Sequence, residues 1–310
     1  MFITLAFTFF VPAIAQAYTG VTIVISAPTA VNLEFVADFK QELIATKNQN
    51  LKVKMVDLTE SDKLVVAENS ELVIALGVNA LTAASKLKHT TPVLGVFTPI
   101  SVFNELLEKS RRDLSIFSAI LLDQPYWRQM SLIKTVLPGA KKVGVLLGTT
   151  SSQNSDALLG ESEAAGINLD IENVNAESEL IPQLNKTLEN NDALLAVPDP
   201  LIYSRETAQP ILLTSYRHQK PIIGYSQSYV HAGALAAVFS STQQLAKQAA
   251  EIAVASQQTP GLLPPPQVPK YFSVQVNRQV ARSLNISIIN DAEIYSRLLQ
   301  AESTKRVGVK

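Results

Sequence analysis

Short apolar runs rich in β-branched residues alternate with amphipathic stretches along most of the chain, and this alternation constrains the fold more than any other feature. Each run is short enough for a strand, and each stretch between runs is long enough for a helix. Repeated β–α–β units of this kind predict parallel sheets covered by helices on both faces. The sequence therefore predicts an α/β protein.

The alternation occurs twice, which predicts two Rossmann-like, doubly wound lobes. The first half holds the predicted strands Val21–Ser26, Leu51–Leu58, Leu72–Leu76, Pro92–Phe97 and Ser115–Leu122. The second half holds Lys142–Leu147, Leu169–Val174, Ala193–Val197, Pro221–Tyr225 and Ala234–Phe239. A further strand, Tyr271–Val276, follows a proline-rich connector that is unsuited to helix or central strand.

Two helix starts carry clear signals. Ser241 and Gln244 have the spacing of a capping box before an amphipathic run. Asp123 and Pro125 are predicted to be the N-cap and a first-turn proline of a helix that ends near Leu137. We expect the chain to cross from the first lobe into the second at this helix.

The N-terminus resembles a cleaved export signal. Phe2–Ala15 is an uncharged apolar run, and Ala15 and Ala17 form a small-x-small cleavage pattern. The run is shorter than the roughly 20 apolar residues that span a bilayer. The usual basic residue before the run is missing, so a buried strand is the alternative. We expect residues 1–17 to be a signal peptide and the mature chain, from Tyr18, to be periplasmic without a membrane span.

Composition and motifs exclude several classes of function. The chain has 26 Lys and Arg against 27 Asp and Glu and no basic cluster, so nucleic acid is not an expected partner. It has no cysteine, which excludes disulfides, thiol nucleophiles and a lipid-anchor cysteine. His89, His218 and His231 are too far apart in sequence for a metal motif, and no phosphate-binding or dinucleotide-binding glycine loop follows a strand. We predict no catalytic residue, no metal and no cofactor.

Ligands of open α/β sheets bind beyond the carboxyl ends of the strands, so polar residues there are the candidate ligand-binding residues. In the first half they are Ser26, Thr29, Gly77, Asn79 and Thr98. In the second half they are Thr149, Ser151, Ser152, Asp199, Tyr225 and Ser226.

Three of these positions allow two interpretations. The turn from Gly148 to Ser152 could hold a ligand carboxylate with its hydroxyl and N–H groups, or it could simply start a helix. Asp199, between two prolines, could pair with a ligand amine or serve as a turn residue. Tyr225 could stack on a planar ligand or cover the core.

The second half, taken with these candidates, resembles the ABC-transporter substrate-binding family that includes tryptophan- and tyrosine-binding proteins. The resemblance covers residues 70 to 290 and is strongest after 130. The matching segments are Leu132–Lys134, Leu137–Pro138, Lys142–Val145, Ala193–Asp199, Leu212–Arg217, Lys220–Ser226, Gly233–Ala236, Phe272–Ala281 and Leu284–Ile286. Ser26-Ala27-Pro28 stands where members often have His-Pro, and Ser118-Ala119 replaces a usual Thr-Gly, so ligand identity is not carried over.

The resemblance implies a type I periplasmic-binding fold, with two lobes joined by a three-strand hinge and a ligand cleft between them. Lobe 1 would comprise 18–122 plus 241–265, and lobe 2 would comprise 123–240 plus 266–310. The implied function is capture of a small ligand, for example an amino-acid-like one, by hinge closure, in partnership with an inner-membrane ABC permease. The alternative is a periplasmic sensory or adaptor module of the same fold that docks on a membrane receptor or envelope partner.

Overall fold

The computed structural model of the chain describes residues 20–46, 51–59, 64–259 and 261–307. The predicted signal peptide, residues 1–17, lies outside these residues. The described strands form two separate sheets, one in each half of the chain. This arrangement confirms the prediction of two α/β lobes.

The sheet of the first lobe is fully parallel, with strand order β2-β1-β3-β4-β5. Its strands are β1 (Gly20–Ile25), β2 (Lys52–Asp57), β3 (Leu72–Leu76), β4 (Val93–Thr98) and β5 (Phe117–Leu121). The order reverses between β1 and β3, as in doubly wound folds.

The sheet of the second lobe repeats this order and adds one strand at its edge. It comprises β6 (Lys142–Gly148), β7 (Asn168–Val174), β8 (Ala193–Leu195), β9 (Ile222–Gly224), β10 (Ala236–Phe239) and β11 (Ser273–Val276). The order is β11-β10-β9-β8-β6-β7, and β11 alone among these runs antiparallel to its neighbour. Strands β8 to β10 are shorter than predicted, because the apolar residues at their ends continue into buried loops.

Helices cover the faces of both sheets. The described helices are α1 (Ala30–Ala45), α2 (Leu64–Ala67), α3 (Gly77–Ala84), α4 (Ile100–Ser110), α5 (Tyr126–Val136), α6 (Ser155–Ala165), α7 (Glu177–Asn190), α8 (Arg205–Arg217), α9 (Gln227–Ala232), α10 (Thr242–Ser256), α11 (Arg278–Ser283) and α12 (Asp291–Val307). A short 3₁₀ turn, Ser151–Asn154, precedes α6.

Helix α10 follows the second sheet in sequence but packs on the first. Its residues Leu245 and Ala249 are buried in one core with Phe35 and Phe39 of α1. The predicted capping box starts this helix: Ser241 Oγ accepts from the N–H of Gln244 at 3.2 Å, and the Gln244 side chain accepts from the N–H of Ser241 at 2.9 Å. The chain therefore returns to the first lobe at this point.

The segments that link the two sheets run side by side. Gln267 exchanges backbone hydrogen bonds with β5, accepting from Leu121 and donating to Ala119, each at 2.8 Å. The Gln124 side chain donates to Ser240 Oγ at 2.9 Å, and that hydroxyl donates to the carbonyl of Tyr271 at 2.5 Å. These bonds hold the three connections together as one hinge.

The predictions that Asp123 is an N-cap and that Pro125 lies in the first turn of the helix are both wrong. Helix α5 begins at Tyr126 with Pro125 as its N-cap. Because the chain turns through the hinge before α5 begins, the Asp123 side chain points to the other lobe, where Oδ2 accepts from the N–H of Ile100, the first residue of α4, at 2.7 Å. Burial of this carboxyl raises the pKa of Asp123 to about 6.

Candidate functional site

The turn that follows β4 in the first lobe and the turn that follows β6 in the second meet across the cleft between the lobes. Ser26 follows β1 and Gly77 follows β3 in the first lobe, while Tyr225 follows β9 in the second. The lobes touch across this cleft, where the Gln153 side chain donates to the carbonyl of Ser101 in α4 at 3.5 Å. That the candidate residues at the other strand ends border one ligand site stays a prediction.

Asp199 holds two loops of the second lobe together. Its Oδ1 accepts from the N–H groups of Leu201 at 2.8 Å and Ile202 at 3.2 Å. Its Oδ2 accepts from the N–H of Gly148 at 3.2 Å, and Ser151 Oγ accepts from the same N–H at 3.0 Å. With 3% of its surface exposed, Asp199 has its carboxylate engaged by backbone donors, which is the turn-residue interpretation of the sequence.

The other hydroxyls of this lobe combine local bonds with exposure. Ser152 Oγ donates to the carbonyl of Thr149 at 3.1 Å, within the turn that starts α6. Thr149 is exposed and Ser152 is half-buried. Ser226 Oγ accepts from the N–H of Tyr229 at 3.2 Å as the N-cap of α9. Of these residues, Thr149 presents its side chain most openly.

Tyr225 belongs to a cluster of three tyrosines. Its ring stacks on Tyr229 with a centroid distance of 5.9 Å and meets Tyr203 edge-on at 5.8 Å. Burial, aided by the negative charge of Asp199, raises the pKa of Tyr225 to about 12. Tyr225 is half-buried, so the cluster presents a neutral, aromatic edge beside the Asp199 loop.

The candidates of the first lobe differ in accessibility. Thr29 caps α1, accepting from the N–H of Asn32 at 3.3 Å, and is exposed, as is Asn79 in the first turn of α3. Gly77 begins α3 with a φ of +83°, a conformation that strains other residues. Thr98 is 0% exposed, because β4 ends inside the lobe, so its hydroxyl is covered in this structure.

Ser101 and Phe97 were not predicted from the sequence. Ser101 lies in the first turn of α4, is 1% exposed, and its Oγ has no hydrogen-bond partner among the described residues. Phe97 has a φ of +58° at a β-bulge between Val96 and Thr98, and its ring meets Phe35 edge-on at 5.6 Å. The position of Ser101 just after β4 was a usable signal, whereas nothing in the sequence marks the bulge.

Neither a metal cluster nor a membrane-spanning helix is found among residues 20–46, 51–59, 64–259 and 261–307. No group of three or more His, Asp or Glu residues there has an arrangement able to hold a metal ion. None of the helices in that part has the length and apolarity needed to cross a membrane.

Comparisons with known proteins identify the family. The family model described as ABC transporter substrate binding protein matches residues 29–297. A comparison with curated proteins gave no match.

Solved structures share the fold at low sequence identity. A domain from Streptococcus pneumoniae in complex with L-Trp is 17% identical, with a TM-score of 0.66 over 90% of this chain and 98% of that one. A conserved domain protein from Vibrio cholerae is 19% identical, with a TM-score of 0.65 over 90% and 98%. The ligand-free, open structure of a substrate binding protein with adhesive properties from Clostridium difficile is 15% identical, with a TM-score of 0.68 over 88% and 97%. The two lobes thus have the type I periplasmic-binding fold, and the chain belongs to the family of ABC transporter substrate binding proteins.

Proposed function

We propose that this substrate-binding protein captures a small, amino-acid-like molecule in the cleft between its lobes. The observation that carries the proposal is the contact between Gln153 of the second lobe and Ser101 of the first, at the ends of the two sheets where ligands of such folds bind. Lobe 1 is then formed by 18–122 with 241–265, and lobe 2 by 123–240 with 266–310.

The side chains around the cleft suit a ligand with a planar or apolar part and polar ends. The Tyr225 edge supplies an aromatic surface, and the exposed Thr149 and the unpaired Ser101 hydroxyl supply hydrogen-bonding groups. Asp199 serves by fixing the loop that carries Thr149, since its carboxylate already accepts backbone N–H groups. Aromatic amino acids are the first compounds to test, because the Streptococcus pneumoniae neighbour was solved with L-Trp.

Capture by hinge closure follows from the placement of these groups. Ser101 belongs to the first lobe and Thr149 to the second, so a ligand that touches both stabilises the closed arrangement over the open one. The Gln153–Ser101 hydrogen bond already joins the two lobes near these groups, which supports closure at this place.

Thermal unfolding with a panel of amino acids, nucleobases and organic anions tests this proposal. A ligand that binds only the folded state adds about 2.7 kcal/mol of stability at one hundred times its Kd. We expect a clear shift with one compound class, and we expect Tyr225→Ala to remove it. Leu299→Ala is the matched control, because Leu299 lies in α12 of the same lobe with 40% exposure. A panel without any shift would contradict the proposal.

The proposal includes a periplasmic location and an inner-membrane ABC permease as partner, supported by the family and by the apolar N-terminal segment. Deleting the gene separates this role from the sensory or adaptor alternative. Loss of uptake of the identified ligand supports the transport role. Unchanged uptake with loss of a transcriptional response to the ligand supports sensing instead.

A further inference from the structure

We propose a second binding site, outside the cleft, for a small amphiphilic carboxylate. A groove of about 570 Å³ lies on the outer face of lobe 2, between α8, the end of α9 and α11. Hereafter it is called the α8 groove. Its apolar walls are formed chiefly by Leu212, Leu213, Tyr216, Pro221, Val280 and Leu284.

The α8 groove is separate from the ligand cleft. Lys220 and Pro221, which line it, precede β9, whereas Tyr225 follows the opposite end of the same strand. Strand β11 runs antiparallel to β10, so α11, which begins after Val276, also starts at the end of the sheet remote from the cleft. A molecule bound in the α8 groove therefore does not occupy the space beside Tyr225.

The apolar part of the groove is open to solvent. Leu213 and Tyr216 are 47% and 63% exposed, although both are large and apolar. Gly233 and Leu212 line the groove side by side. A Cβ on Gly233 would lie 3.6 Å and 3.9 Å from the two methyl groups of Leu212, so the missing side chain leaves these methyl groups uncovered. Exposed apolar surface in a concave site is typical of ligand-binding positions.

Cations stand at both ends of the groove. Arg205 begins α8, and Lys220 lies beyond the C-terminal end of that helix. Among the described residues, neither side chain forms an ion pair with a carboxylate within 4 Å. Hydrogen bonds from the N–H groups of Lys142 and Lys141 lower the pKa of Asp192, and the positive charge of Lys220 helps to lower it.

The chemistry of the ligand follows from this combination. An apolar body fits the walls, and a single anionic head fits either Lys220 or Arg205. The volume lies within the range of about 300–1,000 Å³ that small-molecule sites occupy, with few polar groups placed at the ends. We therefore assign the groove to a small carboxylate with an apolar chain rather than to a protein partner.

Isothermal titration of the full chain with decanoate, and with decan-1-ol as the uncharged match, tests the assignment. We expect one saturable decanoate site. The double variant Arg205→Gln/Lys220→Gln should weaken decanoate binding by about tenfold and leave decan-1-ol unchanged, since only a charge-assisted bond is lost. Tyr216→Ser should weaken both probes, and the cleft variant Tyr225→Ala should alter neither.

Several results would overturn the assignment. The absence of saturable decanoate binding would do so. An equal loss of affinity for decanoate and decan-1-ol in the double variant would also do so, because it would show that the carboxylate plays no part in binding. Loss of binding in Tyr225→Ala but not in Tyr216→Ser would place decanoate in the cleft. Self-association that Tyr216→Ser abolishes, with no decanoate binding, would make the groove an interface between copies of the chain.

Discussion

The carboxylate of Asp199 fills the space that a side chain at Gly148 would need. A Cβ placed on Gly148 would lie 2.6 Å from Oδ2 and 2.7 Å from Oδ1 of Asp199. Asp199 cannot easily move away, because the N–H groups of Leu201 and Ile202 bind the same carboxylate. The loop that contains Asp199 can therefore approach the end of β6 this closely only because residue 148 is glycine.

We expect Gly148→Ala to destabilise the protein by about 1–3 kcal/mol, the usual cost of overpacking a tight site. Gly160→Ala is the matched control, because no atom lies within 4 Å of its added Cβ and the residue lies inside α6. That variant should be neutral or gain up to about 1 kcal/mol from helix propensity. Urea denaturation measures the free energy of unfolding of both variants. Equal values would show that the Asp199 side chain moves away from the added methyl group without loss of stability.

A second prediction concerns Arg128, which is 1% exposed at the hinge. Its guanidinium donates to the Gln124 side chain at 2.6 Å and to the carbonyl of Pro269 at 3.2 Å. It also pairs with Glu302 of α12 at 3.3 Å and lies 4.1 Å from the ring centre of Phe272. One buried cation thus connects two hinge segments with the C-terminal helix.

We expect Glu302→Gln to cost about 3 kcal/mol of unfolding free energy, because removing one partner leaves a buried charge less compensated. The matched control is Glu293→Gln in the same helix, which breaks the exposed pair with Arg297. Exposed helical pairs contribute only about 0.3–0.5 kcal/mol. Chemical denaturation compares the two variants, and a cost for Glu302→Gln no larger than the control would contradict the structural role of the pair.

Much of the fold could be predicted because its signals are local. Apolar runs bounded by turn residues mark each strand of both sheets, and the Ser241 capping box marks α10. Strand β3, Leu72–Leu76, matches its prediction residue for residue. Such features depend on neighbouring residues, so the sequence carries them directly.

Features that depend on distant contacts were missed or misassigned. Asp123 has the right spacing for an N-cap, but the hinge turns it toward Ile100. Thr98 follows a strand like the other candidates, yet a bulge at Phe97 leaves it buried. Ser101 follows β4 and could have been named from the sequence, but only the structure shows that its buried hydroxyl has no partner among the described residues.

The Ser101 hydroxyl leads to a third prediction. Its Oγ is buried without a partner, and an unsatisfied buried polar group lowers stability. We expect Ser101→Ala to leave the ligand-free protein unchanged or up to about 1 kcal/mol more stable. If the proposed function is correct, the same variant weakens ligand binding.

The matched control for this test is Ser162→Ala. Ser162 is also 1% exposed, but its hydroxyl donates to the carbonyl of Leu159 at 2.8 Å. Losing that bond should cost about 1 kcal/mol. Thermal unfolding with and without ligand measures both effects. If Ser101→Ala is destabilised as much as Ser162→Ala, the Ser101 hydroxyl has a hydrogen-bond partner in the folded protein.

A fourth prediction concerns the pH dependence of stability at the hinge. Burial raises the pKa of Asp123 from its ordinary 3.8 to about 6 in the folded protein. Between these values the folded state binds more protons at this site than the unfolded state. The free energy of unfolding therefore falls as pH rises from about 4 to about 6, by a total on the order of 3 kcal/mol. Above that range the contribution of Asp123 no longer changes with pH.

Asp123→Asn isolates this effect, because the amide oxygen can still accept from the N–H of Ile100 but does not titrate. We expect the variant to gain stability relative to the wild type as pH rises from 4 to 6, measured by urea denaturation at each pH. Asp192→Asn is a control of opposite sign: backbone hydrogen bonds from Lys142 and Lys141 lower the pKa of Asp192, so its stabilising contribution is lost only as pH falls below its ordinary value. A difference between wild type and Asp123→Asn that stays constant with pH would mean that the Asp123 carboxyl is solvated when the hinge is folded.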